Sequence, residues 1–115
     1  MSISTAPLLR GQVTQSIAAD NATATASVSA IAQQKHIVLG CEAHYSAAVS
    51  LIKTVTLKHG STTWQTFRWD FTNGPFFFAL PVALRGALNE AVSVELEASG
   101  TGGTSGYASI YTATD

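Results

Sequence analysis

Cys41, Glu42 and His44 fall close together in the chain, and residues of these types can ligate a metal. On an extended chain successive side chains point to opposite faces, so Cys41 points one way while Glu42 and His44 point the other. Two ligands on one face fall short of the four that a structural zinc site needs. His36 shares that face but belongs to no motif. Cys41 therefore reads as a small buried hydrophobe, and the histidines read as surface or interface residues. His59-Gly60-Ser61 with the distant Asp70 could be cast as base, nucleophile and orienter. A triad is defined by geometry, however, and no G-x-S-x-G nucleophile elbow is present. His and Ser beside Gly are ordinary turn residues. A hydrolase would require a cleft that brings His59 or His44 onto a serine or carboxylate at hydrogen-bond distance.

Three further patterns have simpler readings. The run GTGGTSG, residues 100–106, has the glycines of a phosphate cradle. It lacks the Lys-Ser/Thr and the following helix that a P-loop uses, and Tyr107 opens a strand instead. It reads as a flexible loop. Glu95 and Glu97 stand on the solvent face of one strand, not in a sugar-lined cleft, so with Glu42 they form no acid and base pair. Trp64, Trp69 and Tyr107 could stack on a sugar or a base, but core or subunit packing accounts for them more simply. Asn21-Ala22-Thr23 matches the glycosylation sequon, and without a secretory signal the match carries no weight. No catalytic residue, metal ligand or cofactor is expected.

The elements that would hold these residues are strands. Period-2 alternation recurs in block after block. In 36–45 the apolar set is Ile37, Leu39, Cys41, Ala43 and Tyr45, with Val38 out of phase. In 91–99 Val92, Val94, Leu96 and Ala98 oppose Ser93, Glu95, Glu97 and Ser99. Val55 and Leu57 point inward from 54–59, and 107–114 is rich in β-formers. Residues 22–32 alternate Ala/Val with Thr/Ser. In 62–71 Phe67, Trp69 and Phe71 share a phase that Trp64 breaks, so the strand is bulged or Trp64 lies outside. Residues 76–84 are apolar on both faces. Pro81 cannot donate to a ladder, which makes this an edge strand or an interrupted one, and an apolar edge needs a cover. Gly60-Ser61 sits at hairpin spacing and Asn73-Gly74-Pro75 is a turn. Seven or eight short strands at spacings of roughly 8–12 residues predict an all-β antiparallel sandwich or barrel, and the sandwich is the expected form. Residues 12–115 form that single domain, preceded by an extended arm over 1–11.

Composition bounds what the domain can do. The chain has 115 residues and a formal net charge of −1, which sets up no field for nucleic acid or an anionic membrane. No apolar run approaches the ~20 residues of a membrane span. The start has no basic stretch followed by an apolar one, and a single cysteine can form no internal disulfide, so synthesis in a reducing cytoplasm is expected. Charged residues make up 11% of the chain against ~25% in an ordinary soluble domain. Ser, Thr and Ala stand in their place. Such a surface meets other protein with little desolvation cost, which points to an assembly.

The second half reads TVTLKHGSTTWQTFRWDF and then LPVALRGALNEAVSVELEASGTGGTSGYASIY. A TLK-x-G strand with a Trp strand after it, Leu84-Arg85-Gly86, Asn89 before an alternating strand, and a Gly-rich loop into a GY strand occur in that order. With the Ala/Thr-rich and KHIVLG strands upstream, this resembles a family of small tailed-bacteriophage virion proteins over roughly residues 12–114. Val82-Ala83 departs from that pattern, in which a proline precedes the LRG. The resemblance implies a jelly-roll sandwich that forms trimers on virions. It implies a cement or decoration protein that binds the major capsid protein at the capsid surface after assembly in the host cytoplasm, or else a minor head or tail component. On that reading Trp64, Phe76, Phe77, Phe78 and Arg85 meet neighbouring subunits, with Trp64 and Phe77 facing outward. The rival expectation is a receptor- or carbohydrate-binding module of a tail or fibre, which an exposed aromatic site with polar neighbours would favour.

Overall fold

The computed structural model describes residues 11–114, and the arm expected over 1–11 lies outside them except for Gly11. Eight strands follow in order: β1 (Gln12–Ile17), β2 (Ala24–Val28), β3 (His36–Tyr45), β4 (Ile52–His59), β5 (Thr62–Asp70), β6 (Phe76–Arg85), β7 (Val92–Leu96) and β8 (Gly106–Thr114). They form two four-stranded antiparallel sheets, β1-β8-β3-β6 and β2-β7-β4-β5. Each strand of the first half pairs with its mirror in the second: β1 with β8, β2 with β7, β3 with β6, β4 with β5. The chain is thus one long hairpin rolled into a sandwich, the jelly-roll arrangement. Among the described residues the one helical element is a 3-10 turn, Phe71–Asn73, and no helix is long and apolar enough to cross a membrane.

The core lies between the sheets. Alternation places Ala24 and Ala26, Val55 and Leu57, Val92, Val94 and Leu96, and Ala108 and Ile110 inward, all buried. The Ala/Thr strand β2 is covered on one face only, since Thr25 and Ser27 are exposed. The β4–β5 hairpin turns at Gly60-Ser61, with Gly60 at φ 57°, the left-handed region that a two-residue hairpin loop demands. Asp70 caps the 3-10 turn by accepting from Thr72 N at 3.0 Å, and the Thr72 side chain, then this N–H, hold its carboxyl below the usual range.

Irregular ladders explain where the alternation misleads. Val38 pairs with Thr112 and Gly40 with Tyr111, which leaves Leu39 as the extra residue of a β-bulge. The bulge reverses the phase, so His36 and Val38 point inward before it, Cys41 and Ala43 after it, and Leu39 is exposed. His36 is therefore a core residue, not a surface one, and its Nε2 bonds the Ser29 carbonyl at 2.8 Å. In β5 a second shift opposes Leu57 and Lys58 to Gln65 and Thr63, and Trp64 is the extra residue. β6 is both an edge strand and an interrupted one: Val38 pairs with Leu84 and Gly40 with Ala79, so Leu80–Ala83, with Pro81 among them, bow out of the ladder. The 100–106 loop crosses between sheets and is pinned. Asn21 Oδ1 accepts from Gly100 N at 2.8 Å, Asp20 Oδ1 from Gly103 N, and Ser99 Oγ donates to Thr101 O and Thr104 O. The expectation of a flexible loop is corrected accordingly.

Candidate binding face

The two outer faces of the sandwich differ in chemistry. The β2-β7-β4-β5 sheet turns Thr25, Ser27, Ser93, Glu95, Thr56 and Lys58 outward, with Lys58 Nζ 3.1 Å from Glu95 Oε2. The β1-β8-β3-β6 sheet turns rings outward. In β8 the buried Ala108 and Ile110 alternate with Tyr107, Ser109 and Tyr111, which fixes these three on the outer side. Register then builds three rungs across the face. Val13 lies beside Tyr111, Gly40 and Ala79; Gln15 beside Ser109, Glu42 and Phe77; Ile17 beside Tyr107 and His44.

The rungs alternate apolar and polar chemistry. His44 stacks on Tyr107 with ring centroids 4.6 Å apart and planes 11° from parallel. Its Nδ1 hydrogen-bonds the Glu42 carboxylate at 2.5 Å. Gln15 Nε2 donates to Ser109 Oγ at 3.2 Å. Gly40 brings no side chain and Ala79 one methyl, so Tyr111 and Phe77 approach across the gap to 6.0 Å between centroids. Phe77 is 64% exposed and Val13 and Ile17 are similarly open. Partial burial and the nearby Glu42 carboxylate raise the Tyr111 phenol above its ordinary value, so it remains a neutral hydrogen-bonding group.

Two cavities flank this face. One, of about 450 Å³, lies at the end of the sandwich between His44–Val49 and the 3-10 turn. Tyr45 forms its wall: the hydroxyl donates to Glu97 O at 2.6 Å, the ring meets Phe71 edge-on at 4.9 Å, and burial raises its pKa. The other, of about 390 Å³, is an apolar groove between the edge strands β5 and β6.

The residues expected at a subunit interface separate. Phe76 is 6% exposed and packs with Phe67, Trp69 and Phe78, so it belongs to the core of its own chain, and that assignment is corrected. Its neighbour Phe77 points the opposite way, into solvent. Phe78 is half-buried against the core and lines the groove. The bulge turns Trp64 partly inward, where it stacks on His59 at 4.3 Å and rims the groove instead of standing on the outer face. Arg85 ends β6 opposite Ile37 and is exposed. Sequence reading did not single out Tyr111, Gln15 and Ser109. Alternation within 107–114 carries that signal once the buried phase is known.

Two histidines do meet carboxylates, His44 with Glu42 and His59 with Glu90, whose Oε1 lies 3.0 Å from His59 Nδ1. Each pair is a base with an orienter. Near the first, Ser46 Oγ is engaged by the Ser105 N–H at 2.9 Å. Near the second, His59 lies against Trp64. Glu90 also accepts from Ala87 N, and this hydrogen bond, then His59, holds its carboxyl below the usual range. Cys41 is buried on the core side of β3, away from Glu42, and burial pushes its thiol up to about 11, which removes it as a nucleophile or ligand. Among the described residues no group of three or more His, Cys, Asp or Glu is arranged to hold a metal ion.

No family model matches the chain, and no curated protein matches it. Two solved structures are similar in outline. One is the CBM36-1 domain of a multidomain xylanase from the hindgut metagenome of Trinervitermes trinervoides, at 10% identity over 90% of this chain and 96% of that one, with a TM-score of 0.47. The other is a ruminal GH26 endo-beta-1,4-mannanase, at 11% identity over 80% of this chain and 18% of that one, with a TM-score of 0.43. Neither is a virion protein. Superpositions this loose carry no argument, and the assignment of the chain as an eight-stranded antiparallel jelly-roll sandwich rests on its own strand order.

Proposed function

We propose that the chain is a non-enzymatic binding module that takes a saccharide on the outer face of the β1-β8-β3-β6 sheet. One observation carries this reading. Phe77, Tyr111, Tyr107 and His44 present rings on the same face as Gln15 and Glu42, in alternating rungs. A sugar ring has apolar C–H faces and a rim of hydroxyls. Aromatic surface suits the faces, and a carboxylate, an amide and hydroxyls suit the rim. The test is a glycan array followed by calorimetry on the hits, with Tyr111→Ala and Phe77→Ala beside a Thr56→Ala control on the opposite face. Loss of one ring contact worth ~1.4 kcal/mol weakens binding about tenfold. Binding that is equal in all four proteins, or absent for every glycan, overturns the reading.

A second reading is a virion shell subunit, a cement or decoration protein bound as a homotrimer to major capsid protein. The exposed apolar side chains favour it: Val13 at 63%, Ile17 at 59% and Val82 at 74% stand on a chain with few charges. Surfaces of this kind mark protein contacts. Summed over a symmetric lattice, weak contacts of this kind hold a shell together. Co-sedimentation with capsids, unaffected by free glycan, would select this reading over the first.

A further inference from the structure

We infer that the chain pairs with a second copy of itself, edge to edge, through β1. β1 ends its sheet, and among the described residues no strand lies on its other side. A bare edge is a template for another strand, and sheets blunt their edges with charge, proline or bulges. The opposite edges, β5 and β6, are blunted in these ways. β5 carries Arg68, Asp70 and the bulge at Trp64, and β6 carries Pro81 and the bowed residues 80–83. β1, reading QVTQSI, has none of them. β2, which packs against β1 from the other sheet, fully exposes only Thr25 and Ser27. Two copies meeting along this side therefore strip no ion of these strands of its water.

Backbone and side chains together select the partner. Ala18 N donates to Gly106 O at 2.9 Å, continuing the register that sets Gln12 against Thr112. In an antiparallel pair each residue turns its N–H and C=O to one side, and the side alternates along the strand. Thr14 and Ser16, in phase with Ala18, thus bond β8. Val13, Gln15 and Ile17 turn their backbone groups to the open edge, and the same residues carry their side chains on the outer face. A two-fold axis through Gln15 sets Gln15 against itself and Val13 against Ile17 of the second copy. Every outward N–H and C=O of these residues is then matched. Val13 and Ile17, 63% and 59% exposed in the single chain, cover each other, and the Gln15 amides meet. On the inner side Thr14 falls beside Ser16. A shift of two residues sets Val13 or Ile17 against Gln15 and loses this match. The strand is complementary to itself under the two-fold, as an isologous dimer requires. The outer faces of the two copies then join into one surface with apolar pairs at the seam.

The test is sedimentation velocity on the full chain over a concentration series up to ~1 mM, the weak end of specific association. Disulfide trapping reads the register. The wild type is expected to reach twice the single-chain 12.0 kDa as concentration rises. Gln15→Cys sets two thiols opposite each other at ~5.5 Å between Cα atoms, a separation that a disulfide spans. It should oxidise to a linked dimer. Val13→Cys should not link to itself, whereas a mixture of Val13→Cys with Ile17→Cys should link. Cys41 is buried and stays out of the exchange. Gln15→Pro removes only an outward N–H, and Gln15→Lys sets like charges across the axis. Each should hold the single-chain mass at every concentration, with circular dichroism showing that it folds. Should the proline variant unfold, the lysine variant decides. A wild type of single-chain or three-chain mass overturns the proposal. So does a Gln15→Cys that links no faster than Val13→Cys, a mixture that fails to link, or a folded Gln15→Lys that keeps the dimer mass.

Discussion

Phe76 and Phe77 are adjacent, chemically identical and on opposite faces of β6, which makes them a controlled pair. Phe76 is 6% exposed, with ring centroids 5.1 Å from Phe67, 5.8 Å from Trp69 and 6.4 Å from Phe78. Truncating it to alanine removes the buried ring and leaves a cavity that the sandwich closes only in part, at a cost of ~3–5 kcal/mol. Phe77 is 64% exposed and touches Tyr111 at 6.0 Å. Full burial of a Phe is worth ~1.5–3 kcal/mol, so the buried third of this ring contributes ~0.5–1 kcal/mol. At ~2.1 cal/mol/K per residue the unfolding entropy of a 115-residue chain makes each kcal/mol worth ~4 °C in melting temperature. The expected losses are therefore ~12–20 °C for Phe76→Ala and ~2–4 °C for Phe77→Ala. Urea titration should agree with the calorimetric melt and show unchanged slopes, which would mean that the unfolded state is the same in both. Phe77→Ala should meanwhile lose ligand binding that a folded Phe76→Ala retains. Equal destabilisation by the two variants would refute the face assignment of β6, and with it the register across the whole outer face.

Gly40→Ala would place a methyl 2.6 Å from the Phe78 carbonyl oxygen, which the ladder holds in place. The expected cost is ~1–3 kcal/mol, read from urea unfolding, as for other overpacked sites. Cys41 should resist a thiol reagent at pH 8 in the native protein and react at once in denaturant, because the thiol is fully buried and its pKa stands at about 11. Glu90 has its carboxyl pKa lowered by the Ala87 N–H and by His59, so its contribution to stability is present above the unfolded carboxylate range, ~4.3. That contribution is lost as pH falls through the lower folded value. Glu90→Gln should flatten this acid limb of the stability profile by lowering stability near neutrality while changing little below the folded value.

Much of the fold was legible because alternation reports burial directly. β7 reads Val92, Val94, Leu96 against Ser93 and Glu95 in both sequence and structure, and β3 runs over the expected His36–Tyr45. Pro81 announced an interrupted edge, and the break in phase at Trp64 announced a bulge. The face of His36 was misread for one physical reason: a bulge at Leu39 inverts the phase, and nothing local to Leu39 signals it. The loop over 100–106 looked flexible because its anchors, Asp20 and Asn21, are some eighty residues away in the chain.

The candidate face divides in the same way. Alternation determined the strands, and composition determined a surface poor in charge, rich in small polar residues, and with rings enough for both a core and a surface. Which rings went where was a tertiary decision. Pairing β8 between β1 and β3 set Tyr107 and Tyr111 beside His44 and Gly40, and the β6 ladder added Phe77 to the Glu42 rung. A strand's own sequence specifies which residues share a face, but only the partners and register of that strand specify which residues of other strands join them there.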